Sequence, residues 1–585
     1  MIFTTIIDIN DPLSVSISDF VQSIGFARGG KRWGIFTLLM PFIWALYLYN
    51  KAYWHKLPNF KFLHSDKIWV GLVLLGVFLI RMSNLVYLNL DADEAEWMSG
   101  AASFYDDPRF WLSVDGNTSG PLTIAPLSLI PAFGFTLSYQ TVRLFSTLFY
   151  ILPAILFTYL ALRKMCGIVL ASAVTIPLAF ILATSSSVML YNSEYPVSLL
   201  LAIGLYLYTS LHPKSGGSFL FLSGIVFGLF PYSKIQATPM GVFMALVFLW
   251  KLNQGQFSWK RSLIFILGGL TPSIILGIYL TICNLWYDFT NAYIINNFLY
   301  GTASGPNKNN FTFETTVRAT LQYLETIPEF SYWLAFMKIG VLMAISLLVG
   351  FRIKLTGLQK IDLWMAWGLV ATAIFCAVKP YSFSYHYQHF LLVPTAFIIG
   401  AVCATIETLL VKVGINSLGE LAQRATMPTF FLLSVFMPWI SISQFDDVHS
   451  YEKLSSTNIS RSKMQDTIAL YVKPDEKMAV WGSNPGIYAL TKTIRGTRDG
   501  HTYHQIIPIK TQKYYLNRFV SDLDRIKPKA FVEAFGGFSY ILYGADGLKK
   551  FGIEHYPIVN NYIKSNYELK AELDGNTRIY ARKIQ

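Results

Sequence analysis

The chain has 585 residues, of which 53% are hydrophobic and 14% charged, and its mean hydropathy is +0.42. Soluble domains carry about 25% charged residues, so the composition excludes a soluble globular protein. Apolar runs of about 20 residues recur instead, the pattern of a polytopic helical membrane protein. The net charge of +13 does not point to nucleic acid, because Lys and Arg sit in short loops between the apolar runs, as the positive-inside rule requires.

Residues 1–67 form an N-terminal segment that opens on MIFTTIIDINDPLSV, without the basic stretch of a cleavable signal peptide. Within it, WGIFTLLMPFIWALYLYN at 33–50 is either a further span or an interfacial helix. Residues 68–443 read as the transmembrane domain. The span 68–90 rises outward from a loop bearing Lys51, Lys56, Lys61 and Lys67. That places a first external loop at 91–138, which begins in the acidic stretch NLDADEAEWMSG (89–100). GPLTIAPLSLIPAFG at 120–134 is apolar but short and interrupted by three prolines; it is expected to be re-entrant or interfacial, since a span there would put Arg163 and Lys164 outside. The span 139–162 returns inward to those two residues. The path then alternates through 167–190, 195–211, 218–233, 236–250 and 262–282 to a second large external loop at 283–331. Spans at 332–350, 361–378, 386–411 and 426–443 follow, for a total of about 11–13. The inward ends meet Lys214; Lys251, Lys260 and Arg261; Arg352, Lys354 and Lys360; and Lys412 and Arg424.

Residues 444–585 are a polar external domain. KMAVWGSNPGIYAL and PKAFVEAF read as buried strands, YELKAELDGNTRIYARK as a hairpin about Asp574-Gly575, and LKKFGIEHYPIVNNYIKSN as helical in part. Together they predict a small α/β module. The four cysteines, Cys166, Cys283, Cys376 and Cys403, show neither metal spacing nor a disulfide framework.

With this threading the out-of-place polar residues fall on the outer side: Asp91, Asp93, Glu94 and Glu96; Glu194 in MLYNSEYPVS; Lys234 in GLFPYSKIQATP; and KPYSFSYHYQHF at 379–390. Ionisable groups at membrane depth are costly, and a function is the default hypothesis for each. Asp93 and Glu94 suit a general base. Asp91-x-Asp93 suits a hard divalent cation. An acidic helix start, favoured by capping and the helix dipole, explains the same residues without function, and Asp91 and Glu96 are equally well read as solvated neighbours. Lys234 suits an anionic lipid phosphate, against snorkelling to head groups. His386 is either a ligand-binding imidazole or a satisfied interfacial ring, and Tyr381, Tyr385 and Tyr387 read as an aromatic belt.

Taken in order, these residues resemble the GT-C glycosyltransferases, in the branch of the protein O-mannosyltransferases and the bacterial aminoarabinose transferase of lipid A. The likeness runs over 68–411, through Asp93-Glu94, Pro121-Leu122, Arg143-Leu144-x-Ser146, Arg163-Lys164, Glu194, Lys234 and SYHYQHFLLVP. One departure is that Ser119-Gly120-Pro121-Leu122 stands where many relatives have Lys-Pro-Pro-Leu, so the lysine that would help hold the donor phosphate is missing.

The resemblance implies a GT-C-like bundle in the bacterial inner membrane with its site and C-terminal domain extracytoplasmic. It implies inverting transfer of a sugar from a polyprenyl-phosphate donor to an acceptor hydroxyl on a lipid, a polysaccharide or a protein. Asp93 would be the base, with Glu94 as its partner or alternate. Lys234, Arg143 and His386 would hold the donor phosphate, and Glu194 and Tyr387 would position sugar or acceptor. No cofactor is expected, and a divalent cation at Asp91 and Asp93 only as a weak alternative. A lipid-linked glycan ligase or polymerase shares this chemistry but would be expected to carry its key groups in a large external loop. A lipid-linked glycan transporter would show repeated halves with midplane charges, and the sequence has no internal repeat.

Overall fold

The computed structural model describes residues 66–82, 91–184, 190–300, 312–326, 355–379, 385–412, 463–536 and 546–584, with a few isolated positions between them. The expected spans 33–50 and 426–443, and nearly all of 332–350, lie outside the described residues. Among those described, five helices are long and apolar enough to cross a membrane: Tyr139–Gly167, Ile235–Leu252, Trp259–Ile282, Gly357–Val378 and His386–Ile406. Shorter apolar helices at Val70–Met82, Pro121–Ala132 and Gly217–Ser233 fill in around them. The protein is an integral membrane protein with a polytopic helical bundle.

Local sequence sets the helix starts. Ser138 and Thr141 form a capping box that opens Tyr139–Ser146, and Thr356 with Gln359 does the same for Gly357–Val378. The stretch 120–134 is broken into Pro121–Ile124, Ala125–Ser128 and Leu129–Ala132. Its three prolines remove the backbone donors that one continuous helix would need. Gly217–Gly228 lies against Trp259–Ile282 backbone to backbone: a Cβ at Gly224 would sit 2.1 Å from the Phe265 carbonyl oxygen, and one at Gly268 2.1 Å from that of Phe221. Small residues permit this approach where no hydrophobic force drives helices together. His389–Lys412 packs on Leu152–Thr184, Gly357–Val378 and Glu194–Ser210, and is the most enclosed of the spans.

The described residues of the stretch 283–331, expected as a polar external loop, are largely helical, in Trp286–Asp288, Phe289–Ile295, Asn296–Tyr300 and Phe313–Thr326. Aromatic packing holds the first part in place. Phe289 and Tyr293 lie against Trp111 at ring-centroid distances of 4.9 and 5.8 Å, and the Tyr293 hydroxyl donates to the Pro231 carbonyl.

The C-terminal domain carries a five-stranded sheet: β1 (Lys477–Gly482), β2 (Ile494–Arg495), β3 (Ala530–Ala534), β4 (Tyr567–Leu573) and β5 (Thr577–Arg582), in the order β2-β1-β3-β5-β4. β1 pairs in parallel with β2 and β3, while β5 runs antiparallel between β3 and β4. Every residue of β3 is buried, as a central strand covered on both faces should be. The β4–β5 hairpin turns at Asp574 and Gly575, both at positive φ, the conformation Asp-Gly is chosen for. Helix Gln512–Ile526 links β2 to β3, so the domain is the α/β module its sequence predicts.

This domain is bonded to the bundle through the segment 91–120. The Arg495 guanidinium, fully buried, donates to Ser99 Oγ at 2.9 and 3.1 Å and to the Glu96 carbonyl. Arg498 donates to the Trp111 carbonyl at 2.8 Å, and its own carbonyl accepts from the Asp115 N–H at 2.8 Å. Arg518 joins Asp115, at 2.7 Å, to Asp499. These charges are out of water on both sides of the junction, where each missing partner would leave a buried charge uncompensated.

Candidate active site

The acidic stretch is a helix, Ala92–Asp106, and its four carboxylates do four different things. Asp91 is the N-cap, in extended conformation at φ −141, and its Oδ1 accepts from the Asp93 N–H at 3.1 Å. The capping explanation is therefore right for Asp91, whose Oδ1 holds backbone. Among the described residues no three His, Cys, Asp or Glu side chains converge as a metal's ligands would. Glu94 is fully buried and doubly bonded to Arg143, with Nε to Oε1 at 2.8 Å and Nη2 to Oε2 at 2.5 Å. The Tyr191 N–H donates to the same Oε1 at 2.9 Å. This is the fork-to-fork geometry that arginine prefers with a carboxylate.

Glu96 is no solvated neighbour. It is buried at the junction of the two domains, with Asn117 Nδ2 at 2.5 Å and His501 Nε2 at 3.3 Å from its carboxylate. Asn117 reaches it from a turn in which it holds positive φ, at 52°, a conformation Asn tolerates better than most residues.

Asp93 lies on the same side of the helix as Glu96, three residues away, and is half-buried. The charged groups that act on it come from two walls: Glu96 and His501 on one side, Lys234 and Glu194 on the other. Burial first, and then the Glu96 carboxylate, push Asp93 up to about 6, against the pull of Lys234. Burial and Asp93 likewise push Asp91 up to about 7.

The second wall is built by three separate parts of the bundle. Glu194 begins helix Glu194–Ser210. Lys234 occupies the extended residue between Phe230–Ser233 and Ile235–Ala237, at φ −153. His386 and Tyr387 lie in the short turn that leads into His389–Lys412. Lys234 is 2% exposed. Its Nζ donates to Ser193 Oγ at 2.9 Å and to Glu194 Oε1, and lies 5.0 Å from the centroid of the Tyr387 ring. His386 Nε2 is 4.0 Å from the same Glu194 oxygen.

The Ser119-Gly120-Pro121-Leu122 turn is laced to the Lys234 turn. Ser119 and Lys234 form a backbone bridge, the Gly120 N–H donates to the Ser233 carbonyl at 2.9 Å, and Thr123 Oγ1 donates to that carbonyl at 3.0 Å. A Cβ at Gly120 would fall 2.2 Å from the Tyr232 carbonyl oxygen. A proline there would clash and would also lose the donated N–H. The departure from Lys-Pro-Pro-Leu thus goes with a direct backbone contact to the site lysine.

Of the residues singled out in the sequence, Asp93, Glu194, Lys234, His386 and Tyr387 are gathered at one end of the bundle, beside the C-terminal domain. Two of the expected site residues are engaged with each other. Arg143, expected at the donor phosphate, is buried and pairs with Glu94. Glu94, expected as an alternate base, is fully buried and accepts three hydrogen bonds. Sequence reasoning also missed two kinds of residue. Arg81 is buried in the first described helix and donates to Thr147 Oγ1 at 2.9 Å, the Leu182 carbonyl at 2.7 Å and the Tyr195 hydroxyl at 3.2 Å; an arginine in an apolar run was signal enough. Asn117, Arg495 and His501 had no such signal, because their polar surroundings in sequence are unremarked loops.

The opposite end of Glu194–Ser210 is about 25 Å away at the helical rise. There Lys164 Nζ donates to Ser210 Oγ at 2.7 Å, Arg261 to the His212 carbonyl at 3.2 Å, and Lys251 to Asp362 at 3.1 Å. The loop cations and the site therefore occupy opposite ends of the bundle.

No protein-family model matches the chain, and no curated protein is significantly similar to it in sequence. Solved structures are similar in fold. ArnT from Cupriavidus metallidurans, bound to undecaprenyl phosphate, matches 88% of this chain and 97% of its own at a TM-score of 0.52 and 12% identity. The same protein in its apo state matches the same shares at 0.50 and 11%. The Archaeoglobus fulgidus oligosaccharyltransferase tethered with an acceptor peptide matches 88% of this chain and 74% of its own, at 0.40 and 11%. The ArnT matches show the fold: an ArnT-like helical membrane bundle with a C-terminal α/β domain.

Proposed function

We propose that the protein is a membrane glycosyltransferase that moves a sugar from a polyprenyl-phosphate donor to an acceptor hydroxyl, with inversion, at the extracytoplasmic face of the bacterial inner membrane. The observation that carries this reading is the buried Lys234 at the rim of a membrane bundle, next to a half-buried carboxylate with a raised proton affinity. The fold is that of an ArnT whose structure holds undecaprenyl phosphate, which supports the choice of a lipid-phosphate donor. The placement of loop cations at the far end supports the extracytoplasmic side.

In this reading the acceptor oxygen forms a bond to the anomeric carbon as the bond from that carbon to the phosphate oxygen breaks. The acceptor proton passes to Asp93, which a proton affinity near 6 leaves ionised at neutral pH yet basic enough to accept it. The phosphate leaves with the bonding electron pair. Lys234 has three N–H donors; Ser193 and Glu194 take two, and the third serves a phosphate oxygen as its charge grows. His386 supplies a further contact to phosphate or sugar hydroxyls. Glu194 orients Lys234 and faces the positive charge that develops on the sugar, and Tyr387 covers the Lys234 ammonium. Glu94 and Arg143 position the helix that carries Asp93. The acceptor is a lipid, a polysaccharide or a protein admitted beside the C-terminal domain. No cofactor takes part.

The test is sugar transfer by purified full-length protein from mass-tagged polyprenyl-phosphate sugars to membrane and cell-wall acceptors, with and without chelator. Transfer that is lost in Asp93→Asn and unaffected by chelator is the expected result. Full activity of Asp93→Asn would sink the assignment of the base, and a requirement for a divalent ion would replace the metal-free mechanism.

A further inference from the structure

The first external helix is gripped from above by the C-terminal domain, and one of the gripping residues reaches the neighbourhood of the base. His501 lies in the loop that follows β2, beyond Arg495 at the end of that strand and Arg498 in the same loop. Its Nδ1 accepts from the Tyr503 N–H at 3.3 Å, so in the neutral ring the proton sits on Nε2. That Nε2 is 3.3 Å from a Glu96 oxygen, and Asn117 Nδ2 approaches the other at 2.5 Å. Two donors from different segments thus converge on a carboxylate that is buried and three residues along the helix from Asp93. Such a charge, left alone, would hold a proton on its neighbour by like-charge repulsion.

Resting on the reading of Asp93 as the base, we propose that His501 of the C-terminal domain is a positioning residue of the membrane site. It holds the Glu96 carboxylate at the domain junction and offsets its charge, so that Asp93 remains free to take the acceptor proton. The groups facing Asp93 are Asp91 and Glu96 at the start of its own helix, His501 from the C-terminal domain, and Lys234 and Glu194 from the bundle. Those facing His501 are Glu96, Asp93, Asp499 and the neighbouring His504, and Arg495 also acts on Glu96. Burial pulls the His501 imidazole down, and the three carboxylates, Glu96 foremost, more than reverse it. A C-terminal domain that only bound acceptor would have no reason to place an imidazole on this carboxylate.

The experiment reads Asp93 directly. A hydrophobic carbodiimide reacts with protonated carboxyls, so the labelling of Asp93, followed by peptide mass spectrometry across pH in the full-length protein, reports its protonation whether or not the protein transfers sugar. In His501→Ala the labelling midpoint moves upward by about half to one pH unit. In the double variant His501→Ala/Glu96→Gln it returns to the wild-type value or below, since the charge that His501 opposes is gone. His501→Gln keeps an N–H donor for Glu96 and shifts less, and it stands in if the alanine variant does not fold. In the transfer assay the alanine variant loses about fivefold at low pH relative to its own alkaline plateau, which a merely structural role would lower at every pH. An unmoved midpoint in both His501 variants, or an equal shift with and without Glu96, overturns the proposal. Loss of coupling with transfer intact refutes only the role of His501. Coupling present without transfer from any lipid-phosphate donor refutes the proposed reaction instead.

Discussion

Two carboxylate–cation pairs are sealed into this bundle, Glu94 with Arg143 and Glu194 with Lys234, and their surroundings differ. Arg143 meets Glu94 fork to fork, and the Tyr191 N–H donates to the same carboxylate. Lys234 is a point charge that meets one oxygen of Glu194 and one hydroxyl, while His386, Tyr387 and Asp93 stand around it. A planar guanidinium suits fixed geometry, and an ammonium on a flexible stem suits a partner that comes and goes. Burial and charge are alike in the two pairs; what distinguishes them is the geometry of the cation and the ionisable groups beside it.

The comparison breaks most sharply at Lys234. Lys234→Met is expected to cost about a thousandfold in turnover, the scale of losing a donor to a developing oxyanion. Adding Glu194→Gln recovers thermal stability, read by unfolding in detergent, without recovering transfer. Recovery of transfer in the double variant would make this pair as structural as the other. Arg143→Ala acts oppositely. It leaves Glu94 charged and unpaired, and about 3–5 kcal/mol of stability is lost, whereas Arg143→Met with Glu94→Leu refolds and keeps transfer within about tenfold of wild type.

A smaller effect separates base from scaffold by pH. A base must be deprotonated to work, so transfer falls as pH drops below about 6, the value to which Asp93 is raised. The sign for stability is the reverse of the usual carboxylate. A folded-state value above the unfolded one means that the native state binds the proton more tightly, and ionisation destabilises it as pH rises from about 4 to beyond 6. Asp93→Asn should therefore raise the melting temperature by about 2–4 °C at alkaline pH, with less gain near pH 5. A lowered melting temperature at alkaline pH would mean that the Asp93 carboxylate is stabilised by its neighbours. The mildest test is Tyr387→Leu, which removes the ring over the Lys234 ammonium and should weaken donor binding by about fivefold, seen as a rise in KM with turnover preserved.

The residues of the candidate site that lie in or beside apolar runs were legible because an ionisable group there is costly enough to stand out. Glu194, Lys234 and His386 are each visible that way, as is Arg81, while Asp93 is visible as part of an acidic cluster at the end of a span. The helical character of Trp286–Tyr300 was hidden because its order depends on Phe289 and Tyr293 finding Trp111, far back in the chain. The same limit applies to Glu96. Its partners Asn117 and His501 lie 21 positions and about 400 positions away, and nothing local in TRDGHTYHQ marks one histidine among several polar neighbours.

By itself the sequence determined that this chain lives in a membrane, which end of each apolar run carries basic charge, and that a hairpin closes the C-terminal sheet at Asp574-Gly575. These follow from costs assessed residue by residue: transfer of side chains into lipid and permitted turn dihedrals. Only the tertiary structure decided which acid meets which cation: Arg143 with Glu94, Lys234 with Glu194, and His501 with Glu96. A buried charge must find a partner, but which partner it finds is a property of the packed fold and not of the residues beside it in the chain.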